Sequence, residues 1–518
     1  MAQYDVIVIG AGIAGLTAAA YLAQSGAHVL VCEQADQVGG YFNSFRREGY
    51  LFDGGIKAIE NAGILRPTLA QLGLLDRVKL FRSPIALVTE TNVQPIQSPA
   101  DISVYFSSMM TLFPDQSGGI SRVLHDVQAI TTALNALVRL SNSSFAATPE
   151  EARKIAGGFG ENMRALAHIP GVMSLSHGTL RGYLEKRLSD PHLVNLLSDV
   201  FPDGTTPLFG LAYYSLFLDY YYPEGGMQAV PDALAAAVQE WGSDVLLHAD
   251  VQQVTMAFGR VTGVVLADGR SYAAGYVISC SDARQTFTTL LPEGSVPQSF
   301  LAPMIRAEPS HSVFTVFLGV DVPADKLGLT GCPHVFYAPD LTGIEGTDRL
   351  RTNDYFARVP QEISVPCLLQ PDLAPEGKSG IILSALTTWH YADHWGTEDG
   401  QPTEQYEALR TMFAGQMVAS LERFIPALAD RIELRFTSTP YSLHARTLND
   451  KGAIVGWSYD TSRTWHRGSI LQIAKSVRTP IPNLLMAGHW AFSPGGSPVA
   501  VLTGKLAANS ILKSRQEV

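Results

Sequence analysis

The sequence predicts an α/β fold: a dinucleotide-binding domain interrupted by an inserted α+β domain. Three observations predict it. An apolar strand runs into a glycine-rich turn and a helix at residues 6–22. A second strand–turn–helix unit closes the chain at residues 481–507. Between them, a run of hairpin-like strands at residues 245–280 separates two stretches of different pattern.

The first element is Val6-Ile7-Val8-Ile9, a short continuous apolar run of the kind a central parallel strand requires. Gly10-Ala11-Gly12-Ile13-Ala14-Gly15 follows at once, a G-x-G-x-x-G at a strand-to-helix junction. Gly10 permits the tight turn, Gly12 lets backbone approach a pyrophosphate, and Gly15 lets the helix pack on the strand. The helix continues through Leu16, Ala19, Ala20 and Leu22, with Gly26 as its stop. Its N-terminus would turn unpaired N–H groups and a positive dipole end toward phosphates. A second strand, Val29-Leu30-Val31-Cys32, ends on Glu33, about 20 residues past the glycines, where a ribose hydroxyl is normally bound. That carboxylate would repel a 2′-phosphate, which argues against NADP.

Three further features favour FAD over NAD. Gly39-Gly40 follows Glu33 closely, with the basic Arg46-Arg47 beyond it, as in a second pyrophosphate loop. Phe52-Asp53-Gly54-Gly55 matches an F-D-x-G segment that lies beside the flavin in the FAD family that includes amine oxidases. The C-terminus returns to the cofactor: residues 481–488 read as loop, buried strand and turn, and Pro494-Gly495-Gly496-Ser497-Pro498-Val499 opens a last helix. The expected fold is therefore a glutathione-reductase-like FAD-binding Rossmann domain with an inserted α+β substrate domain. The FAD domain would comprise residues 1–80, 225–290 and 476–518, and the substrate domain residues 81–224 and 291–475. Within the former, Val245–Leu247, Val251–Met256 and Val261–Leu266 read as a three-stranded meander, and Tyr276–Cys280 as a returning strand. Within the latter, residues 123–140 and 163–167 read as helical, 313–317 as a strand and 406–424 as a helix.

Composition narrows the class. The chain has 518 residues, 46% hydrophobic and 16% charged, with a net charge of −11. That favours a globular protein with a large interior and argues against disorder. No basic run stands out, so nucleic acid is not an expected partner. Cys32, Cys280, Cys332 and Cys367 form no C-x-x-C pair and read as buried thiols in a reducing compartment. No signal peptide and no apolar stretch of about 18 residues is evident. A cytoplasmic protein is expected, free or peripheral on one membrane face. Nothing in the sequence sets its oligomeric state.

Four stretches together resemble the phytoene desaturase-like group, which includes carotenoid desaturases, carotenoid isomerases and retinol saturases. They are Gly10–Gly15 with Glu33 and Gly39-Gly40; Tyr222-Pro223-Glu224-Gly225-Gly226-Met227; Gly452–Tyr459; and Pro480–Leu484 through Ala487-Gly488-His489-Trp490 to Gly495-Gly496. Their order and spacing cover the whole chain. His489-Trp490 stands where several carotenoid enzymes carry an acidic or small residue after Ala-Gly, which sets this chain among the broader desaturase-like proteins. The resemblance implies FAD, with Gly10, Gly12, Ala14, Gly15, Glu33, Gly39, Gly40, Arg47, Asp53, Gly488, His489, Gly495, Gly496 and Val499 as contacts. It also implies a backbone contact from Val251 to the adenine.

The chemistry implied is redox or isomerisation at carbon–carbon bonds of a long apolar substrate, a carotenoid, isoprenoid or unsaturated lipid. A flavin amine oxidase-like enzyme and a non-catalytic flavin- or lipid-binding protein are the alternatives. His489 is the candidate catalytic group, able to tune the flavin or transfer a proton; a purely structural hydrogen bond is its other reading. Trp457 and Trp490 would wall the pocket or simply pack. The aromatic run Phe209–Tyr222 would line a tunnel or form a buried helix. Tyr220-Tyr221-Tyr222 would supply an amine oxidase's aromatic cage. His390 and His394 have the i, i+4 spacing of a metal pair, with Asp393 between them, but show no third ligand, so no metal is expected.

Overall fold

The computed structural model describes residues 3–89, 92–143, 169–329, 331–339, 352–398, 401–423, 425–465 and 472–516. Two seven-stranded sheets organise it. In the first, Tyr4–Ile9 lies between Val29–Cys32 and Ser271–Ser279, parallel to both, with Val6 opposite Val29 and Tyr276. Leu484–Met486 adds to the far side of Ser271–Ser279, Val277 opposite Leu484. These strands are apolar on both faces because helices cover one and the strands Val251–Ala257 and Arg260–Leu266 pack against the other.

One expectation is corrected here. Asp244–Leu246 does not begin the meander. It is the edge strand of the parallel sheet, with Val245 opposite Val31. The helix Ala229–Glu240 and the turn at Gly242 deliver the chain into that strand in the common direction, which a crossover allows and a hairpin does not. The meander is instead Val251–Ala257, Arg260–Leu266 and the first half of Ser271–Ser279, whose second half enters the parallel sheet.

The two ends of the chain pack together. Helix Ile13–Gln24 lies against helix Ser497–Gln516 so closely that a Cβ at Gly504 would be 2.3 Å from the Ala14 carbonyl oxygen. Ala18, Ala19 and Ala20 are fully buried in the same helix. Small side chains let the helices approach, and the approach fixes both helix N-termini.

The second sheet runs in the order Ile432–Ser438, Ser312–Val320, Ser379–Thr387, Gln361–Ser364, His334–Ala338, Ile85–Thr89 and Val93–Ile96. It is antiparallel except where His334–Ala338 meets Ile85–Thr89. The expected strand at 313–317 lies in Ser312–Val320, and the helix expected at 406–424 is Glu404–Leu421. Helices Pro99–Leu112, Ser117–Ser143 and Pro207–Leu216 pack over one end of this sheet around Ile85, Ile96, Phe106, Val123 and Leu211. The helix expected at 163–167 lies outside the described residues.

A small sheet joins the two units: Ile59–Glu60 and Leu80–Arg82 both pair with Tyr220–Pro223. Beside it, fully buried Asp53 accepts hydrogen bonds from the Ser44 hydroxyl (2.6 Å), the Tyr222 hydroxyl (2.6 Å) and the Met227 N–H (3.0 Å). Burial raises its carboxyl to about 6, against the pull of those three donors.

Candidate functional site

One cavity of about 700 Å³ runs from the glycine turns of the first sheet to the helices and strands of the second unit. Its nucleotide end is built from backbone. Gly10 has φ +97°, which its turn requires and which side chains resist. Gly12 caps helix Ile13–Gln24 with no side-chain bond to the helix, and no acidic residue occupies the first turn. A Cβ on Gly12 would meet nothing within 4 Å, so that position faces open space. A Cβ on Gly15 would be 2.0 Å from the Gly10 carbonyl oxygen; this glycine serves the packing of helix on turn and does not line the cavity.

Glu33 is clamped at the rim. Its two carboxylate oxygens accept from the Ala11 N–H (2.7 Å) and the Ala35 N–H (2.9 Å). Val251 lines the same rim. Gly39 and Gly40, at φ +118° and +58°, fold their loop onto the first turn: Gly39 N–H donates to the Ala11 carbonyl at 2.9 Å. A Cβ on Gly40 would be 3.3 Å from the Gly12 Cα. From the C-terminal unit, Gly488, His489, Gly495, Gly496 and Val499 complete the wall, as does Ala14 from the first helix.

The cradle fits a dinucleotide by its own geometry. Two helix N-termini converge on it, those of Ile13–Gln24 and Ser497–Gln516, and anions favour such ends. Half-buried His489, whose remaining exposure is to the cavity it lines, has its imidazole lowered to about 4 by desolvation, so it is neutral in ordinary buffers. Its ring centroid is 5.9 Å from that of Tyr41.

Four expected side chains lie elsewhere. Arg47 is exposed and does not line the cavity; its guanidinium lies over the Phe436 ring at 4.5 Å. The strand Ser44–Arg47 turns away from the glycine loop, so adjacency in sequence misplaced the charge. Arg446 lines the cavity instead, donating to the Gly40 carbonyl at 2.8 Å from 406 positions away. Asp53 also lies behind the wall, sealed among its three donors, and its neighbours Gly54 and Gly55 reach the cavity. Trp457 and Trp490 pack edge to face at 4.8 Å, with Trp457 Nε1 donating to the Trp490 carbonyl and Trp490 Nε1 to Asn449. They support the wall from behind.

The aromatic run divides by side. Phe209, Tyr213 and Leu216 of helix Pro207–Leu216 line the cavity with Phe217 and Tyr220. Tyr221 points outward to Arg66 and Tyr222 inward to Asp53, so the three consecutive tyrosines do not form one cage. Strand alternation forbids it. His390 and His394 bring their Nδ1 atoms to 3.3 Å. No group of three or more metal-binding side chains occurs among the described residues.

Sequence reasoning missed a polar cluster on the substrate side. Glu60 Oε1 accepts from the hydroxyls of both Tyr213 and Tyr220, the latter at 3.1 Å. Lys57 Nζ lies 3.4 Å from Glu362 Oε2, and His334 Nε2 approaches Glu362 Oε1 at 3.1 Å without aligning a hydrogen bond. Burial raises the Glu60 carboxyl, reinforced by Glu362, against the two tyrosine bonds. Burial would raise Glu362 too, but Lys57 and His334 outweigh it and hold that carboxyl at about 2. The partial exposure of Glu60 and Glu362 is to the cavity they line.

A dinucleotide cradle of converging helix ends, opening onto an aromatic cavity on an inserted domain, defines an FAD-binding α/β oxidoreductase fold. The chain belongs to the flavin containing amine oxidoreductase family, whose pattern it matches over residues 13–512. FAD is its cofactor, and within that family it is phytoene desaturase-like. It is 27% identical to prolycopene isomerase 2 of an Oncidium hybrid cultivar, over 87% of this chain and 75% of the relative. It is 24% identical to all-trans-retinol 13,14-reductase of Macaca fascicularis (99% and 86%) and 24% identical to phytoene desaturase of Fusarium fujikuroi (98% and 89%). Among solved structures, cyclohexylamine oxidase from Brevibacterium oxydans superimposes with a TM-score of 0.58 at 15% identity, over 99% of each chain. At that identity the likeness concerns the fold.

Proposed function

We propose that the protein catalyses oxidation, reduction or isomerisation at carbon–carbon bonds of a long apolar substrate. The observation that carries this reading is the continuity of the cavity, which joins the glycine cradle to a wall of Phe209, Leu216, Phe217 and Phe336. The relatives named for prolycopene, retinol and phytoene support it.

In this reading Gly10, Gly12, Ala14, Gly39, Gly40, Gly495, Gly496 and Val499 hold the pyrophosphate and flavin edge through backbone, and Glu33 takes ribose hydroxyls. Val251 meets the adenine. Arg446 takes the role first expected of Arg47. Bound FAD supplies a hydride acceptor or donor. His489, neutral and half-buried, tunes that chemistry as a dipole and does not act as a cationic acid. The apolar wall aligns the carbon chain and excludes water. No helix of the described residues is long and apolar enough to cross a membrane; an apolar substrate would then arrive from a carrier or from a membrane face.

Incubating the FAD-loaded protein with prolycopene, phytoene and all-trans-retinol, with oxidised and with reduced flavin, tests the reading by chromatography of products. A new double bond, a lost one or a changed geometry in any of them supports it. Peroxide release with amines, and no change in the three polyenes, favours the amine oxidase-like alternative.

A further inference from the structure

The cavity is apolar along helix Pro207–Leu216 but carries charge and hydroxyls on one stretch of wall. A hydrocarbon does not need such a stretch. Groups there that a ligand covers without pairing lose their water and gain nothing.

Two of these groups are unfilled. Both tyrosine hydroxyls bond the same carboxylate oxygen of Glu60, Oε1. Its Oε2 has no partner among the described residues, yet it is not sealed away. Tyr459 lines the cavity too, its ring tilted against that of Phe209 with centroids 5.0 Å apart, and its hydroxyl is unpaired among the described residues and not sealed. Burial resists ionisation of Tyr459, and so does Glu60 whenever that carboxyl is ionised, so Tyr459 stays a hydrogen-bond donor. Glu60 with a proton is donor and acceptor at once.

The charge around them selects the ligand. Lys57 lines the same wall, and its ammonium offsets the Glu362 carboxylate, so the pair presents no net charge to a ligand. Glu60, which burial pushes toward its protonated form, offers an ammonium no counter-charge and a carboxylate no cation. A neutral group that both gives and accepts a hydrogen bond meets neither objection, and a hydroxyl is the simplest.

Resting on the carbon–carbon reading above, we propose that Glu60 and Tyr459 form a subsite for a hydroxyl group on the substrate. The natural ligand is then an oxygenated isoprenoid or polyene and not a pure hydrocarbon. Tyr213 and Tyr220 are positioning residues that fix the Glu60 carboxyl, and Lys57 with Glu362 sets the charge.

The test is binding to the FAD-loaded protein, followed by absorbance, of three matched probes. They are all-trans-retinol, the amine with CH2NH2 for CH2OH, and the hydrocarbon with CH3 there. Each unpaired buried group weakens binding by about tenfold, so the alcohol should bind at least about tenfold tighter than the hydrocarbon. The gap should shrink in Glu60→Leu. It should also shrink in Tyr459→Phe, which leaves the Glu60–Tyr213–Tyr220 contacts intact should the first variant fold poorly. A cluster that only braces the fold would bind alcohol and hydrocarbon equally, and that result overturns the subsite. Tightest binding of the amine overturns it in favour of a carboxylate that takes cations. Failure of all three to bind, with FAD retained, overturns the subsite and the apolar-substrate reading together.

Discussion

Gly12 and Gly15 show how residues three apart in one motif carry separable duties. Gly12 has φ −67° and ψ 173°, which any residue adopts, and a Cβ there meets nothing within 4 Å. Gly12→Ala should leave the melting of the FAD-free protein unchanged and weaken FAD by about tenfold or more, by blocking close approach to the pyrophosphate. Gly15→Ala should destabilise the fold itself by about 1–3 kcal/mol, because its Cβ strikes the Gly10 carbonyl. Parallel melting curves and FAD titrations separate the two effects. His489 makes a pH statement. Its folded value of about 4 lies below the unfolded 6.5, so its contribution is intact above 6.5 and is lost as pH falls toward 4. That loss is roughly 3 kcal/mol for the wild type. His489→Gln should show a shallower acid decline across that window in urea unfolding at stepped pH. An identical slope would mean that the imidazole is solvated.

Elements built from contiguous residues were legible; those built from distant ones were not. Strand Tyr4–Ile9, its glycine turn and helix Ile13–Gln24 declare themselves within twenty-odd residues, because each local preference agrees with the next. Asp244–Leu246 was recognisable as a strand but not as a parallel one, since alternation does not name a partner. Arg446 and the pair Lys57–Glu362 were invisible, for their partners lie hundreds of positions away and only sheet packing joins them. Arg47 misled because a basic residue close in sequence stood in for one close in space. Helix Pro207–Leu216 had two readings, and its burial pattern answers both: Leu211 and Tyr214 face the core, while Phe209 and Tyr213 face the cavity. Phe209→Ala should therefore raise the KM for an apolar substrate by about tenfold, from lost ring burial, with FAD content unchanged. A fall in FAD content would place this helix against the cofactor.

At the scale of the molecule, the chain leaves the first sheet after Cys32, returns for residues 244–279, leaves again, and closes on Leu484–Met486 and the last helix. Each departure contributes strands to the second sheet, and its cavity wall faces the glycine cradle. The arrangement sets whatever lies against Phe209 and Glu60 over whatever lies against Gly12 and Gly496. The family supplies FAD for the second position, and the function proposed above puts a polyene at the first. Anaerobic absorbance of the FAD-loaded protein mixed with polyenes tests that union most directly. Bleaching of the oxidised flavin band by a polyene, or recovery of the band when reduced flavin meets one, is the expected result. A flavin band indifferent to every polyene in both redox states, but bleached by an amine, would contradict it.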